Sequence, residues 1–191
     1  MHPPIETVLG AALEVQQYLS HASEDFCFIG AIALQRWGEP RLTRDVDVTV
    51  LVQYGEEGPC ADRLLAAFRP RMADARDFAI RNRVLLVKSE GGISIDIAFG
   101  ALPFEKRCVA RSSPWALTPD AVLRTCSAED LVVLKAFASR PQDWVDVESI
   151  AVRLRSALDW NLVFEELGPL AAVRDLPGLL DRLRQLRNKV S

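Results

Sequence analysis

In the first third of the chain, the spacing of hydrophobic residues is helical in some segments and strand-like in others. Apolar residues recur at spacings of three and four over residues 5–19, which predicts an amphipathic first helix. Residues 26–30, with the sequence FCFIG, predict a short buried strand that ends at a glycine. The next segment, 31–37, predicts a short helix. Residues 45–52 alternate between apolar and polar side chains, which predicts a strand with one buried face.

The middle of the chain predicts two helices and a hairpin. Residues 60–68 predict a helix, and residues 75–82 predict a weaker one. Two β-rich runs follow at 83–88 and 93–99, joined by the glycine-bearing turn SEGG. Two such runs around a turn of this composition predict a β-hairpin.

Beyond Pro103 the pattern becomes mostly helical. Residues 121–126 form one more β-like stretch, and Ser127 is placed to cap the helix that follows. A further helix is predicted to begin at Pro141, because proline is favoured in the first turn. The remainder predicts helices interrupted at residues 168–169 and 177–178.

This order of elements predicts an α+β fold in two lobes. A mixed sheet flanked by helices is expected over residues 1–105, and a mostly helical C-terminal lobe over residues 106–191.

The polar face of the strand at 45–52 carries acidic side chains that a structural role does not explain. Val46, Val48 and Val50 share the core face, whereas Asp45 and Asp47 share the other. Aspartate is a poor strand former, and like charges on one face of a strand repel. At a rise of ~3.3 Å per residue the two aspartates lie about 6.6 Å apart along the strand.

A third aspartate, Asp96, lies alone on the small-residue face of the later strand ISIDIAF. If the two strands are neighbours, three carboxylates meet, and each pair costs about 3 kcal/mol at an effective dielectric near 20. A divalent cation reverses the sign of that energy. Mg²⁺ prefers carboxylates together with substrate phosphates, so the set suits one or two Mg²⁺ ions holding a nucleoside triphosphate.

The turn at Gly30 offers a second functional feature. A strand, a glycine and a helix follow one another in FIGAIAL, which places free backbone N–H groups at a helix N-terminus. Phosphates bind at such positions because the N–H groups and the helix dipole both favour negative charge.

Composition restricts the class of protein. The 191 residues are 49% hydrophobic with a formal net charge of −3, which favours a folded chain and argues against one that coats nucleic acid through bulk charge. Neither a membrane span nor a signal peptide is predicted, so we expect a cytoplasmic protein without a membrane partner. Four singly spaced cysteines and two histidines give no zinc or disulfide pattern, so any metal is expected to be oxygen-ligated.

Arginines gather in residues 68–83 and again in residues 181–189. Such runs are most often solvated helix surface, and a phosphate-binding face is the alternative interpretation.

The ordered set of these features carries a resemblance to a known group of enzymes. A Gly-small pair that opens a helix, the motif R-x-T-x-D-x-D on a strand and a lone later aspartate resemble the polymerase-β-like nucleotidyltransferase superfamily. The downstream string SAEDLVVLKAFASRPQDWVDV resembles the C-terminal signature of the AbiEii/AbiGii toxin group, which includes the MenT toxins. The resemblance extends over about residues 25–150.

The resemblance implies a role for each matching residue in the first lobe. Asp45 and Asp47 would hold the catalytic Mg²⁺ ions and the triphosphate, and Asp96 would complete the metal site and help to activate the acceptor hydroxyl. Gly30 and Ala31 would approach the phosphates. Many relatives have serine where this chain has Ala31, so one hydroxyl contact to phosphate is missing.

Further roles are implied downstream. Lys135 would pair with the triphosphate as a point charge and counts as a catalytic residue. Arg41 and Thr43 would shape the loop before the acidic strand and bind substrate. Asp143 and Asp146 match the acids of the family signature and are likewise expected to bind substrate. Each has a structural alternative: Lys135 as an exposed helix lysine, and the two acids as first-turn residues that stabilise the helix dipole.

The implied reaction is transfer of a nucleoside monophosphate from a nucleoside triphosphate to an acceptor, with release of pyrophosphate. The resemblance offers the 3′ end of tRNA as acceptor and a cognate antitoxin as partner. Two alternatives stay open: a protein or small-molecule acceptor, and a degenerate member that binds nucleotide without turnover. Fold alone does not choose between them.

Overall fold

The computed structural model of the protein describes residues 7–118, 121–174, 176 and 178–190. Within them the helices are α1 Val8–His21, α2 Gly30–Trp37, α3 Glu57–Ala67, α4 Ala75–Asn82, α5 Pro103–Arg111, α6 Ala128–Ala138, α7 Pro141–Leu154, α8 Trp160–Val173 and α9 Leu179–Val190, with a 3₁₀ turn at Arg155–Ala157. The strands are β1 Phe26–Phe28, β2 Asp45–Leu51, β3 Arg69–Pro70, β4 Val84–Lys88, β5 Ser94–Gly100, β6 Ser113–Thr118 and β7 Ala121–Thr125. The predicted helical position Ile5 and the predicted break at Pro177 lie outside the described residues.

The strands form one mixed sheet in the order β3-β4-β5-β2-β1-β7-β6. The central pair, β2 and β5, is parallel, and β1 pairs antiparallel with β2 on its other side. The hairpin predicted between β4 and β5 is present as an antiparallel pair. The predicted α+β fold with a mixed sheet is therefore confirmed.

One face of this sheet is buried as the alternation predicts. Val46, Val48 and Val50 have no exposed surface, and neither do Ile95 and Ile97 at the matching positions of β5. Apolar side chains of α1, α3 and α4 join them in a single core cluster. The core of the sheet therefore lies on this face, and the aspartates of β2 and β5 lie on the opposite one.

Several elements differ from the sequence-based predictions. The two-residue strand β3, helix α5 and strand β6 were not predicted, because short or mixed patterns give no clear period. The predicted break at residues 168–169 is wrong, since α8 continues through Pro169.

Contacts group the chain into two compact units. The first comprises residues 1–32 and 42–126 and contains the whole sheet; the second comprises residues 33–41 and 127–191 and is helical. The predicted lobe boundary near residue 105 falls within α5, in the first unit. The lobes 1–105 and 106–191 stay a prediction about folding domains.

In the part of the chain that the structure describes, no helix combines the length and the apolar character that a bilayer crossing requires.

Candidate active site

The three aspartates come from adjacent positions on the two central strands. Asp47 of β2 and Asp96 of β5 are direct partners across the parallel pair, and Asp45 is the partner of Ser94 one step along the same face. Neighbouring strands lie about 4.8 Å apart, so the backbones of Asp47 and Asp96 lie directly side by side. The alternation that buries the valines turns all three carboxylates to the opposite face.

Exposure changes along that face. Asp45 is exposed and Asp47 and Asp96 are partly buried, whereas Thr49, farther along β2, is only 5% exposed. At that end the backbone of Gly100 lies beside Thr49 and Glu105 of α5. The acidic end of the face is therefore open to a ligand, while the other end is closed by packing.

Gly30 lies against the side chain of Asp47. It has a φ of +56°, and a β-carbon built on it would fall 2.1 Å from Oδ2 of Asp47. The amide of the preceding Ile29 donates to the carbonyl oxygen of Asp47 at 3.0 Å, which fixes the end of β1 beside β2. Only glycine fits, because any other side chain would occupy the place of the carboxylate.

Asp45 and Asp96 each bond to a nearby side chain. The hydroxyl of Thr43 donates to Oδ1 of Asp45 at 2.7 Å, so the loop before β2 orients the first aspartate. Arg71, which follows β3, donates through Nη1 to Oδ1 of Asp96.

These residues match the chemistry of a Mg²⁺ site in donor type and in sheet position. All three side chains supply hard oxygen ligands on one open face. Among the described residues, however, no group of three His, Cys, Asp or Glu side chains is already gathered for a metal ion. Asp96 bonds instead to Arg71, so metal binding at Asp96 would require that contact to open. The hydroxyl of Thr43 bonds to Oδ1 of Asp45 and leaves Oδ2 for a metal.

A second polar cluster lies in the helical unit. The Nζ of Lys135 donates to Oδ1 of Asp143 at 3.2 Å and to Oδ2 of Asp146 at 2.7 Å. Lys135 is 5% exposed and each aspartate 2%, so these charges are buried and paired. Arg41 binds both oxygens of Asp146 at 3.2 Å, and Arg140 binds both oxygens of Asp143 at 2.7 and 3.3 Å.

The partners of the two aspartates keep them ionised. Burial raises the pKa of Asp143, but the hydrogen bond from Arg140 and the charge of Lys135 outweigh burial, so its pKa lies below the ordinary value. Burial likewise raises the pKa of Asp146, and hydrogen bonds from Lys135, Gln142 and Arg41 lower it further than burial raises it. The cluster contains three cations and two carboxylates and so has one net positive charge. Its members are Arg41, Lys135, Arg140, Asp143 and Asp146.

The structure thus groups the predicted residues into two sets. Gly30, Thr43 and the three aspartates on the open face lie in the first unit, whereas Arg41 lies with Lys135, Asp143 and Asp146 in the second. Arg41 is not only a loop residue, since it binds a predicted family acid from 105 positions away. Ala31 is 4% exposed in the first turn of α2.

Sequence reasoning missed Arg71. It lies in an arginine-rich run whose first interpretation was solvated surface, and no local motif marks it. The two-residue strand β3, which ends just before Arg71, gives no periodic signal.

Comparison with known families agrees with this geometry. Residues 15–170 match the family described as nucleotidyl transferase AbiEii toxin, type IV toxin–antitoxin system. The chain belongs to the AbiEii nucleotidyltransferase family. The predicted family is confirmed, and the protein is a nucleotidyltransferase enzyme.

Solved structures show the same fold at low sequence identity. An antigenic nucleotidyltransferase-like protein from Paracoccidioides brasiliensis has a TM-score of 0.52 and 17% identity, over 91% of this chain and 92% of its own. The antibiotic-resistance factor ANT(2'')-Ia has a TM-score of 0.51 and 14% identity, over 93% and 96% of the two chains. The AbiEii-family chain therefore shares the nucleotidyltransferase fold with proteins of little sequence similarity. Among curated proteins, no relative matches this chain.

Proposed function

We propose that this AbiEii-family enzyme uses Mg²⁺ to transfer a nucleoside monophosphate from a nucleoside triphosphate to an RNA acceptor. The observation that supports this most directly is the pairing of Asp47 with Asp96 across β2 and β5, with Asp45 on the same open face. Three carboxylates that repel one another on neighbouring strand positions favour a divalent ion.

In this proposal the three aspartates hold the metal, which supplies charge neutralisation for the triphosphate and for the leaving pyrophosphate. Asp96 accepts the proton of the attacking hydroxyl, because it lies beside the other two carboxylates and is partly open to solvent. Asp45 is oriented for its role by the hydroxyl of Thr43.

The backbone at the start of α2 binds phosphate. Gly30 brings the chain close to Asp47 without a side chain between them, and the first N–H groups of α2 are free of helical partners. Because Ala31 lacks a hydroxyl, backbone groups alone make these contacts in this chain.

The five-residue cluster of Arg41, Lys135, Arg140, Asp143 and Asp146 is proposed to bind the substrate. Its one net positive charge suits an anionic substrate, and Arg41 and Arg140 are the members with exposed side chains, 37% and 75%. Lys135 itself is buried and holds the two acids. It therefore contributes to substrate binding by fixing the arrangement of the cluster.

For the acceptor we propose the 3′ end of tRNA, with a cognate antitoxin as the regulatory partner. The membership of a type IV toxin family supports both assignments. A 3′-terminal hydroxyl also supplies the nucleophile that Asp96 deprotonates in this proposal.

The experiment that tests the proposal is transfer of label from each of the four α-labelled nucleoside triphosphates to total cellular RNA in the presence of Mg²⁺. Wild type is compared with Asp45→Asn and with Asp74→Asn. Asp74 is an exposed aspartate of the same unit that pairs with Arg81, so it controls for loss of one carboxylate. We expect label on tRNA-sized species with wild type and Asp74→Asn, and none with Asp45→Asn.

Each other result has a definite meaning. Label on protein or on a small molecule would replace the RNA acceptor by one of the two open alternatives. Mg²⁺-dependent nucleotide binding without any product would indicate a degenerate, binding-only member. Equal transfer by Asp45→Asn and wild type would show that the carboxylate of Asp45 is not needed for catalysis.

A further inference from the structure

Arg71 brings a cation to the face that carries the three aspartates. Its Nη1 donates to Oδ1 of Asp96, and its backbone amide donates to the carbonyl oxygen of Leu86 at 3.0 Å. Leu86 is in turn the antiparallel partner of Asp96. Arg71, Leu86, Asp96 and Asp47 therefore form one row across the sheet, from its edge to the candidate metal position.

The pair is accessible to solvent. The side chain of Arg71 is 31% exposed and that of Asp96 is 36% exposed. An ion pair of this exposure is weak, because water screens it and two side chains must be held in one geometry. A divalent ion that binds the oxygens of Asp96 would therefore displace the guanidinium readily.

We propose that Arg71 neutralises Asp96 while the metal is absent and turns to bind the triphosphate when the metal is bound. This inference rests on the proposed function, since it assumes that metal and triphosphate bind at the three aspartates. A guanidinium suits both partners, because its planar set of N–H donors binds carboxylate and phosphate oxygens alike. Released from Asp96, it remains anchored at the sheet edge beside the same site.

A purely structural role for Arg71 predicts a different effect of its loss on metal affinity. Strand β3 is held by its own backbone pairing, Arg69 with Lys88 and Pro70 with Val87, and by the amide of Arg71. If the side chain of Arg71 only pinned this edge, its loss would lower stability and would leave metal affinity unchanged or weaker. If Arg71 competes with the metal for Asp96, its loss must strengthen metal binding.

The test is a titration with Mn²⁺ in the absence of nucleotide, followed by electron paramagnetic resonance. It compares wild type, Arg71→Gln, Arg71→Lys and the control Arg69→Gln, with folding of each checked by circular dichroism. Arg69 lies two residues away on β3, and Nη2 of its side chain donates to the backbone carbonyl of Glu90. We expect Arg71→Gln to bind Mn²⁺ about three- to fivefold more tightly than wild type, as the loss of a weak competing pair implies. Arg69→Gln and Arg71→Lys, which leave a cation beside Asp96, should stay within about twofold.

The second measurement is binding of a nucleoside triphosphate analogue with a non-hydrolysable α–β link, in saturating Mg²⁺. Here Arg71→Gln should bind about tenfold more weakly, because charge-assisted hydrogen bonds to phosphate are lost. The two effects thus have opposite signs, which an unfolded or loosened variant cannot produce.

The outcomes separate this inference from the proposed function. Mn²⁺ binding to wild type that depends on Asp47, with Arg71→Gln indistinguishable from Arg69→Gln in both titrations, overturns the role of Arg71 alone. No Mn²⁺ or analogue binding by wild type or by Arg71→Gln overturns both the inference and the proposed function. Tighter Mn²⁺ and weaker analogue binding in Arg71→Gln support both.

Discussion

The carboxylate of Asp47 occupies the space that a side chain at Gly30 would need, since a β-carbon at position 30 would be 2.1 Å from its Oδ2. Two separate requirements meet at this glycine. Its φ of +56° is a conformation that L-residues rarely adopt, and the space beside it is already taken by the proposed metal ligand.

We therefore predict that Gly30→Ala displaces Asp47 and lowers nucleotidyl transfer by about a hundredfold, as a displacement of roughly 1 Å does in a catalytic site. The control is Gly55→Ala, because Gly55 also has a positive φ, +92°, but has no atom within 4 Å of its hypothetical β-carbon. Both variants should lose about 1 kcal/mol of stability from backbone strain. Equal activity of the two variants would contradict a role for the contact with Asp47.

The hydroxyl of Thr43 donates to Asp45 at 2.7 Å and thereby orients a carboxylate that is otherwise exposed. We predict that Thr43→Val weakens Mn²⁺ binding by about fivefold, because one hydrogen bond to a charged group at a partly exposed position is lost. Thr43→Ser, which keeps the hydroxyl, should restore affinity to within about twofold of wild type. If valine and serine gave the same affinity, the hydrogen bond would not contribute to metal binding.

Lys135 holds Asp143 and Asp146 together inside the helical unit. We predict that Lys135→Met lowers the free energy of unfolding by about 3 kcal/mol, because two buried carboxylates lose their shared cation. Lys189→Met is the control, since Lys189 pairs with Glu148 at the surface, where an ion pair contributes less than about 1 kcal/mol. Urea unfolding measures both.

A Lys135→Met variant with wild-type stability and no transfer activity would lead to a different conclusion. Lys135 would then act on the substrate rather than on the arrangement of α6 and α7.

The acids of the helical cluster also predict a dependence of stability on pH. The pKa values of Asp143 and Asp146 are lowered on folding, so both bind fewer protons in the folded than in the unfolded state. Their contribution to stability is fully present above the unfolded pKa, about 3.9, and is lost as the pH falls through the lower folded pKa. The stability difference between wild type and Asp146→Asn should accordingly be large at pH 7 and shrink at acid pH.

Urea unfolding at a series of pH values from neutral to acid measures this difference. Asp62→Asn serves as control, because Asp62 is an exposed carboxyl that bonds to Arg76 and whose pKa is also lowered. Its effect on stability should be small at every pH. A difference for Asp146→Asn that grew as the pH fell would contradict the assignment of a lowered folded pKa.

Local pattern was sufficient for the central strands. The alternation of Val46, Val48 and Val50 with Asp45 and Asp47 determines which face is buried, because a strand turns successive side chains to opposite sides. The same rule places Asp96 on one face of β5 and Ile95 and Ile97 on the other. The positive φ at Gly30 is also a local property, since glycine alone tolerates it without cost.

The sequence by itself therefore determined the α+β class, the family and the residues of the acidic face. Tertiary structure decided which strands are neighbours: β2 and β5 pair in a register that sets Asp47 against Asp96, although they lie 49 positions apart in the sequence. It also decided the two contacts without a local signal, Arg71 with Asp96 and Arg41 with Asp146. Both join an arginine on an irregular segment to an acid far along the chain, and such a contact depends on how the elements pack rather than on any period in the sequence.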